Sequence, residues 1–215
     1  MLFITLFRRL ALLALAAFSI AASSVVAAAS TPVNKNILIV GDSISAAYGL
    51  SVQSGWVALL SKRVGETSPS YRVVNASISG ETTSGGAARL GALLKKHKPA
   101  VVVIELGGND ALRGLPIAQT TRYMTQMIKA SQSSGARVVL LPMKMPANFG
   151  AGYVKQFEAM YPTLAKQYKT GVSDFIFKDL LDNPAFFQAD KIHPTAAAQP
   201  LMLDAVWPAI AASLK

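Results

Sequence analysis

The chain has 215 residues, 21 Lys and Arg against 11 Asp and Glu for a formal charge of +10, two histidines and no cysteine. Without cysteine there is no disulfide framework, thiol nucleophile, thiolate metal site or lipobox anchor, and two histidines are too few for a histidine-rich metal centre. The basic residues are scattered and carry no interleaved aromatics, which excludes a nucleic-acid surface and leaves a weak attraction to anionic membranes.

The amino end holds Arg8 and Arg9, an apolar run from Leu10 to Ala22, and small residues ending in Ala27-Ala28-Ala29. Basic, apolar and small-residue regions in that order predict a secretory signal peptide over residues 1–29 with an A-x-A cleavage site. The apolar run is too short for a comfortable membrane span. The expected location is the periplasm or the medium, and residues 30–215 fit one domain with a substantial core, expected to be monomeric.

Beyond the signal peptide, apolar runs and helical stretches take turns. The first strand is expected at Asn36 to Val40, followed by Gly41-Asp42-Ser43 and a helix from Trp56 to Val64. A second strand, Tyr71 to Ser77, leads through Ser79-Gly80-Glu81 into a helix from Thr83 to His97. The run Lys95-Lys96-His97-Lys98 ends that helix, where cations complement the helix dipole. The third strand, Ala100 to Leu106, runs into Gly107-Gly108-Asn109-Asp110, with a helix expected from Pro116 to Ser134. A fourth strand at Ala136 to Pro142 precedes the loop Pro142 to Tyr153 and a helix to Lys169. A fifth at Val172 to Phe177 precedes the loop holding Asp190 and His193 and a last helix from Thr195 to Leu214. Each apolar run is short enough for a strand buried on both faces. The alternation predicts an α/β fold: a three-layer α/β/α sandwich around a parallel, flavodoxin-like five-stranded sheet of order 2-1-3-4-5.

In that order the loops leaving strands two, one and three open into one crevice. They bring together the Ser43 hydroxyl, a close-approach backbone N–H at Gly80, and the side-chain amide of Asn109. A serine is a poor nucleophile until a base takes its proton. His97 belongs to a helix end at the opposite edge of the sheet, which leaves His193 as the base. Asp190, three residues before it, is placed to fix the imidazole tautomer. Alone, Asp190-x-x-His193 reads as a polar surface turn; with Ser43, Gly80 and Asn109 it completes a nucleophile, base, orienting acid and oxyanion donors. No metal or cofactor is required.

These residues resemble the GDSL or SGNH hydrolases, whose four motif residues correspond to Ser43, Gly80, Asn109 and His193. The stretches "NASISGETT", "ELGGNDALRG", "PANFG" and "HPTAAAQP" are similar to the bacterial periplasmic subgroup of thioesterase I, arylesterase and lysophospholipase. The resemblance implies a serine esterase acting on acyl esters, thioesters or lysophospholipids through an acyl-serine. It also implies an oxyanion hole made by the Ser43 and Gly80 N–H groups with the Asn109 amide. The chain departs from the subgroup at Glu81, where aspartate is usual, and at Lys191, where glycine is usual. If position 191 needs positive φ, lysine there costs roughly 1 to 2 kcal/mol.

Three rival readings are separable. An α/β-hydrolase elbow needs G-x-S-x-G, but position 45 is Ser45. A dinucleotide domain needs G-x-G-x-x-G after its first strand, which is absent. A non-catalytic lipid- or carbohydrate-binding module retaining the fold would leave Ser43 unreactive. In the loop Pro142 to Tyr153, Met143 is expected to cap the core, while Met145 and Phe149 are expected to line an acyl-chain groove.

Overall fold

The computed structural model describes residues 35–215. The expected signal peptide, residues 1–29, lies outside the described residues. The five strands are β1 (Lys35–Gly41), β2 (Tyr71–Asn75), β3 (Pro99–Glu105), β4 (Arg137–Leu140) and β5 (Gly171–Val172). They form one parallel sheet of order β2-β1-β3-β4-β5, as the alternation predicts. β1 and β3 are its centre: Ile37–Val40 and Val101–Ile104 are wholly buried, since helices cover both faces.

The helices are α1 (Trp56–Thr67), α2 (Thr83–His97), α3 (Gly108–Leu112), α4 (Ile117–Ser133), α5 (Ala151–Tyr168) and α6 (Gln199–Ala212). α1 packs against α6, and α2 packs against α4, which also meets α5. α2 starts where Thr82 accepts a hydrogen bond from the Gly85 N–H and ends at Lys98 in the left-handed region, with Lys95, Lys96 and His97 in its last turn. The His97 carbonyl accepts from Asn36 Nδ2 at 2.6 Å, which places His97 at the amino edge of the sheet, opposite the crevice.

Two elements differ from expectation. The apolar run Val172 to Phe177 pairs with the sheet only at Gly171–Val172, and its last ladder contact is Ser173 N–H to Leu140 O at 3.0 Å. Phe175, Ile176 and Phe177 are nonetheless buried, in successive turns rather than a strand. Burial, not pairing, explains their apolar character, and a short apolar run cannot distinguish the two. Between β3 and β4 the short helix α3 precedes α4, so alternation is interrupted once. Its start at Gly107, φ 114°, turns the chain sharply out of β3 and brings Asn109 over the carboxyl edge.

Candidate active site

At the carboxyl edge of the sheet, the loops after β1, β2 and β3 and the loop before α6 enclose a crevice of about 340 Å³. Its wall includes Ser43, Gly80, Asn109 and His193. Asp190 borders the same group through His193. The second loop is tied beside the first by Ile78 N–H to Gly41 O at 3.0 Å, and by the Glu81–Arg89 ion pair, whose arginine also reaches Ala76 O at 2.6 Å.

His193 Nε2 lies 2.8 Å from Ser43 Oγ, and His193 Nδ1 lies 2.7 Å from Asp190 Oδ2. The other Asp190 oxygen accepts the backbone N–H groups of Ile192 (2.9 Å) and His193 (3.0 Å). The His193 N–H, then the His193 ring and the Ile192 N–H, hold the Asp190 carboxyl down to about 2. It is therefore ionised at any neutral pH and fixed as an acceptor facing Nδ1, which leaves Nε2 free to accept a proton from Ser43.

Four contacts hold this loop. Gln188 Nε2 donates to Tyr48 O (2.9 Å) and Pro194 O (3.0 Å), joining the serine loop to the histidine loop. Gln188 N–H also reaches His193 O at 2.8 Å. The Tyr48 ring lies 4.4 Å from the His193 ring, tilted by 37°. Sequence reasoning missed both Gln188 and Tyr48. Neither belongs to a motif that carries chemistry, and their partners lie 140 and 145 positions away.

Lys191 has φ 58°, in the left-handed region. That conformation turns the next two N–H groups back onto one oxygen of Asp190, which explains why the position suits glycine. Lys191→Gly should relieve about 1 to 2 kcal/mol of backbone strain against about 0.5 to 1 kcal/mol of extra chain entropy lost on folding. The expected result is a small rise in the urea midpoint with kcat/KM unchanged. A lower midpoint would show that the lysine side chain compensates for its backbone.

Among the described residues, the N–H groups of Ser43 and Gly80 have no intramolecular acceptor, and both residues face the crevice. Gly80 has φ 77°, and Arg113 Nη2 holds its carbonyl at 2.9 Å. The Asn109 amide is differently placed. Its Nδ2 donates to Asp42 Oδ2 (2.9 Å) and to Glu81 O (3.0 Å), so an oxyanion has to share one of these hydrogens. Asp42 also accepts the Ile44 N–H at 3.0 Å through its other oxygen, the local turn bond expected of an aspartate there. Asp110, beside Asn109, faces away and takes the Thr83 N–H (2.9 Å) and hydroxyl (2.5 Å), pinning α3 to α2.

The apolar wall corrects the expected acyl groove. It is built from Ile44, Tyr48, Leu112, Met143, Phe177 and Ile192. Met145 and Phe149 do not border the crevice: Met145 is buried in the core, and Phe149 packs partly against that core in a short 3-10 turn, Ala147–Phe149. Met143 joins the core as expected and also borders the crevice beside Gly108. The physical reason is the turn after Pro146, where Phe149 N–H bonds Pro146 O at 3.1 Å and folds the chain into α5 before it can extend along the crevice.

Among the described residues, no group of three His, Cys, Asp or Glu side chains is placed to hold a metal, and no helix is long and apolar enough to cross a membrane.

Residues 39–200 match the model of the GDSL-like lipase/acylhydrolase family. The chain is 49% identical over 176 residues to Esterase TesA of Pseudomonas aeruginosa, covering 82% of this chain and 88% of that protein. It is 43% identical over 169 residues to Thioesterase 1/protease 1/lysophospholipase L1 of Escherichia coli K12, covering 78% and 79%. A crystal structure of TesA superposes with a TM-score of 0.81 at 48% identity, covering 84% of this chain and all of that one.

Proposed function

The chain belongs to the GDSL-like lipase/acylhydrolase family, and from that premise we propose that it is an esterase in which Ser43, His193 and Asp190 carry out acyl transfer to water. It hydrolyses carboxylic ester and thioester bonds, in keeping with relatives named as an esterase and a thioesterase/lysophospholipase. The observation that carries the residue roles is the unbroken Asp190–His193–Ser43 chain of 2.7 and 2.8 Å, of which His193 and Ser43 line the crevice.

His193 Nε2 takes the Ser43 proton as Oγ attacks the acyl carbonyl, and the carbonyl pair moves onto oxygen as the tetrahedral oxyanion. The unpaired Ser43 and Gly80 N–H groups meet that oxygen, and the Asn109 amide gives it a share of the hydrogens it otherwise spends on Asp42 and Glu81. The imidazolium protonates the departing alcohol or thiol, the acyl group stays on Ser43, and His193 then deprotonates the water that releases the acid. Asp190 remains an anion throughout and stabilises the imidazolium.

The basic, apolar and small-residue order of Met1 to Ala29 supports export, so the site of action is the periplasm or the medium. An address outside the cytoplasm favours esters and lysophospholipids over acyl-CoA as physiological substrates. A fluorophosphonate probe tests the catalytic reading. The expected result is stoichiometric labelling at Ser43, whereas a binding module that merely retains the fold leaves the probe unreacted.

Acyl-chain selection should reside in the observed wall. Leu112 is 47% exposed on α3 at the crevice, so Leu112→Ala does not touch the core. At up to about 0.8 kcal/mol per buried methylene, it should lower kcat/KM for an octanoyl ester by about 3- to 10-fold while leaving the acetyl ester of the same alcohol nearly unchanged. Met145→Ala should instead cost about 2 to 5 kcal/mol of stability and affect both esters in the same proportion. The reverse pattern would return the acyl chain to the Pro142–Tyr153 loop.

A further inference from the structure

Directly beneath the crevice lie two buried carboxyls that none of the acyl-transfer steps uses. The sheet register sets Glu105, at the end of β3, beside Gly41, at the end of β1. Glu105 is completely buried and Asp42 is 2% exposed. Glu105 Oε2 accepts from the Ser45 hydroxyl at 2.7 Å and from the Asp42 N–H at 3.3 Å, while buried Oε1 has no N–H or hydroxyl donor. A Cβ at position 41 would stand 2.8 Å from Glu105 Oε2 and 2.7 Å from Ser45 Oγ, so Gly41 is the space this carboxyl occupies.

Around the pair, the groups that face it are the Ser45 hydroxyl on the serine loop, the Asn109 amide on α3, the Tyr161 phenol on α5 and the His193 imidazole on the final loop. Asp110 on α3 adds a further negative charge at Tyr161. Among the described residues, no lysine or arginine hydrogen-bonds either carboxyl or forms an ion pair with it. Two adjacent buried carboxylates without a cationic partner disfavour double ionisation, so one of them holds a proton. A buried Oε1 without a donor is an unmet acceptor if charged, and the side-chain hydrogen bond between Glu105 and Asp42 gives a proton on the pair its acceptor.

We propose that Glu105 is a positioning residue, held as a neutral acid that shares its proton with Asp42 and so aims the Asn109 amide and the Ser43 turn at the reacting carbonyl. Burial raises both groups, Asp42 to about 6 and Glu105 well above the ordinary glutamate range, with the Asp42 charge second among the causes at Glu105. The pair titrates as a unit. Its folded form keeps a proton that the unfolded chain gives up near pH 4, so its stability contribution declines as pH rises above that value. When the shared proton leaves, two adjacent anions repel, Asp42 moves off the Asn109 amide, and turnover falls on the alkaline side.

The inference rests on the roles of Ser43 and Asn109 proposed above, and the experiment separates the two. Infrared spectra of the wild-type protein at mildly alkaline pH should show the carbonyl stretch of a buried protonated carboxyl, absent in Glu105→Gln. Glutamine keeps an oxygen for Ser45 and a permanent N–H for Asp42, so its kcat should stay within about threefold of wild type. Its alkaline limb should also move to higher pH. Glu105→Ala should lose about 10- to 100-fold in kcat with KM little changed, because only the aim of the donors is lost. No protonated-carboxyl band in the wild type, superimposable alkaline limbs for wild type and Glu105→Gln, or equal damage in glutamine and alanine variants each overturns the proposal. Fluorophosphonate labelling of the same wild-type sample reports on Ser43 alone. A labelled protein without the band refutes only the proton-sharing pair, and an unlabelled protein with the band refutes only the nucleophile.

Discussion

Ser43→Ala is expected to abolish covalent labelling and lower kcat by on the order of 10⁵- to 10⁶-fold. In the proposed mechanism the hydroxyl carries the acyl group, and among the described residues its side-chain partner is His193 Nε2 at 2.8 Å. Removing it costs the fold little: the backbone bond from Tyr48 N–H to Ser43 O remains, and the buried Asp42 and Ile44 on either side are untouched. Thermal unfolding of the variant should therefore overlay the wild type within a few degrees, since a change of about 1 kcal/mol moves the midpoint of a domain of this size by only about 2 to 4 °C. A residual rate above wild-type background from the Ser43 and Gly80 N–H groups is compatible with the mechanism, because an oxyanion hole and binding alone retain about 10³- to 10⁴-fold catalysis over water. Retention of more than about one hundredth of wild-type kcat, far above that level, would remove Ser43 from the chemistry.

His193→Ala should be nearly as damaging, because base and nucleophile act as one unit and neither is useful alone. Asp190→Asn divides the role further. The asparagine oxygen can still accept the Ile192 and His193 N–H groups that now bind Oδ1, so the loop keeps its shape. Its amide, however, turns an N–H toward Nδ1 and stabilises the tautomer with the proton on Nε2, where it faces Ser43 and cannot accept. A loss of about 10⁴-fold in kcat is expected, with a measurable remainder. The carboxylate of Asp190 is held down to about 2, and its contribution is present above the ordinary carboxylate range and lost only as pH falls toward that value. Asp190 should accordingly add no limb to the wild-type pH profile of kcat/KM at neutral pH. Wild-type activity in Asp190→Asn would assign orientation of the imidazole to another contact, of which the Tyr48 ring at 4.4 Å is the nearest described.

The sequence by itself determined the features that are local or periodic. Alternating apolar runs and helical stretches specify a parallel sheet wrapped on both sides, and right-handed crossovers leave the observed order β2-β1-β3-β4-β5. α2 spans the expected Thr83–His97, and the Lys95–His97 run marks its end. The Asp190–His193 contact was legible because three residues of chain suffice to close it, and Ser43, Gly80 and Asn109 because the fold order alone brings their loops to one edge.

Only the tertiary structure decided the rest, through packing partners and dihedral angles that composition does not encode. Phe175 to Phe177 are as apolar as a strand, yet β5 ends at Val172, because what buries them is aromatic packing, with Phe177 5.8 Å from Phe187, rather than a ladder. Met143 and Met145 both join the core, and of the two Met143 also borders the crevice, beside Gly108 on α3. Lys191 adopts a positive φ because two N–H groups must reach one oxygen of Asp190. Glu105 reads as one polar letter in an apolar run; its chemistry appears only when parallel pairing sets it beside Gly41 and Asp42, more than sixty positions away, where both carboxyls are buried.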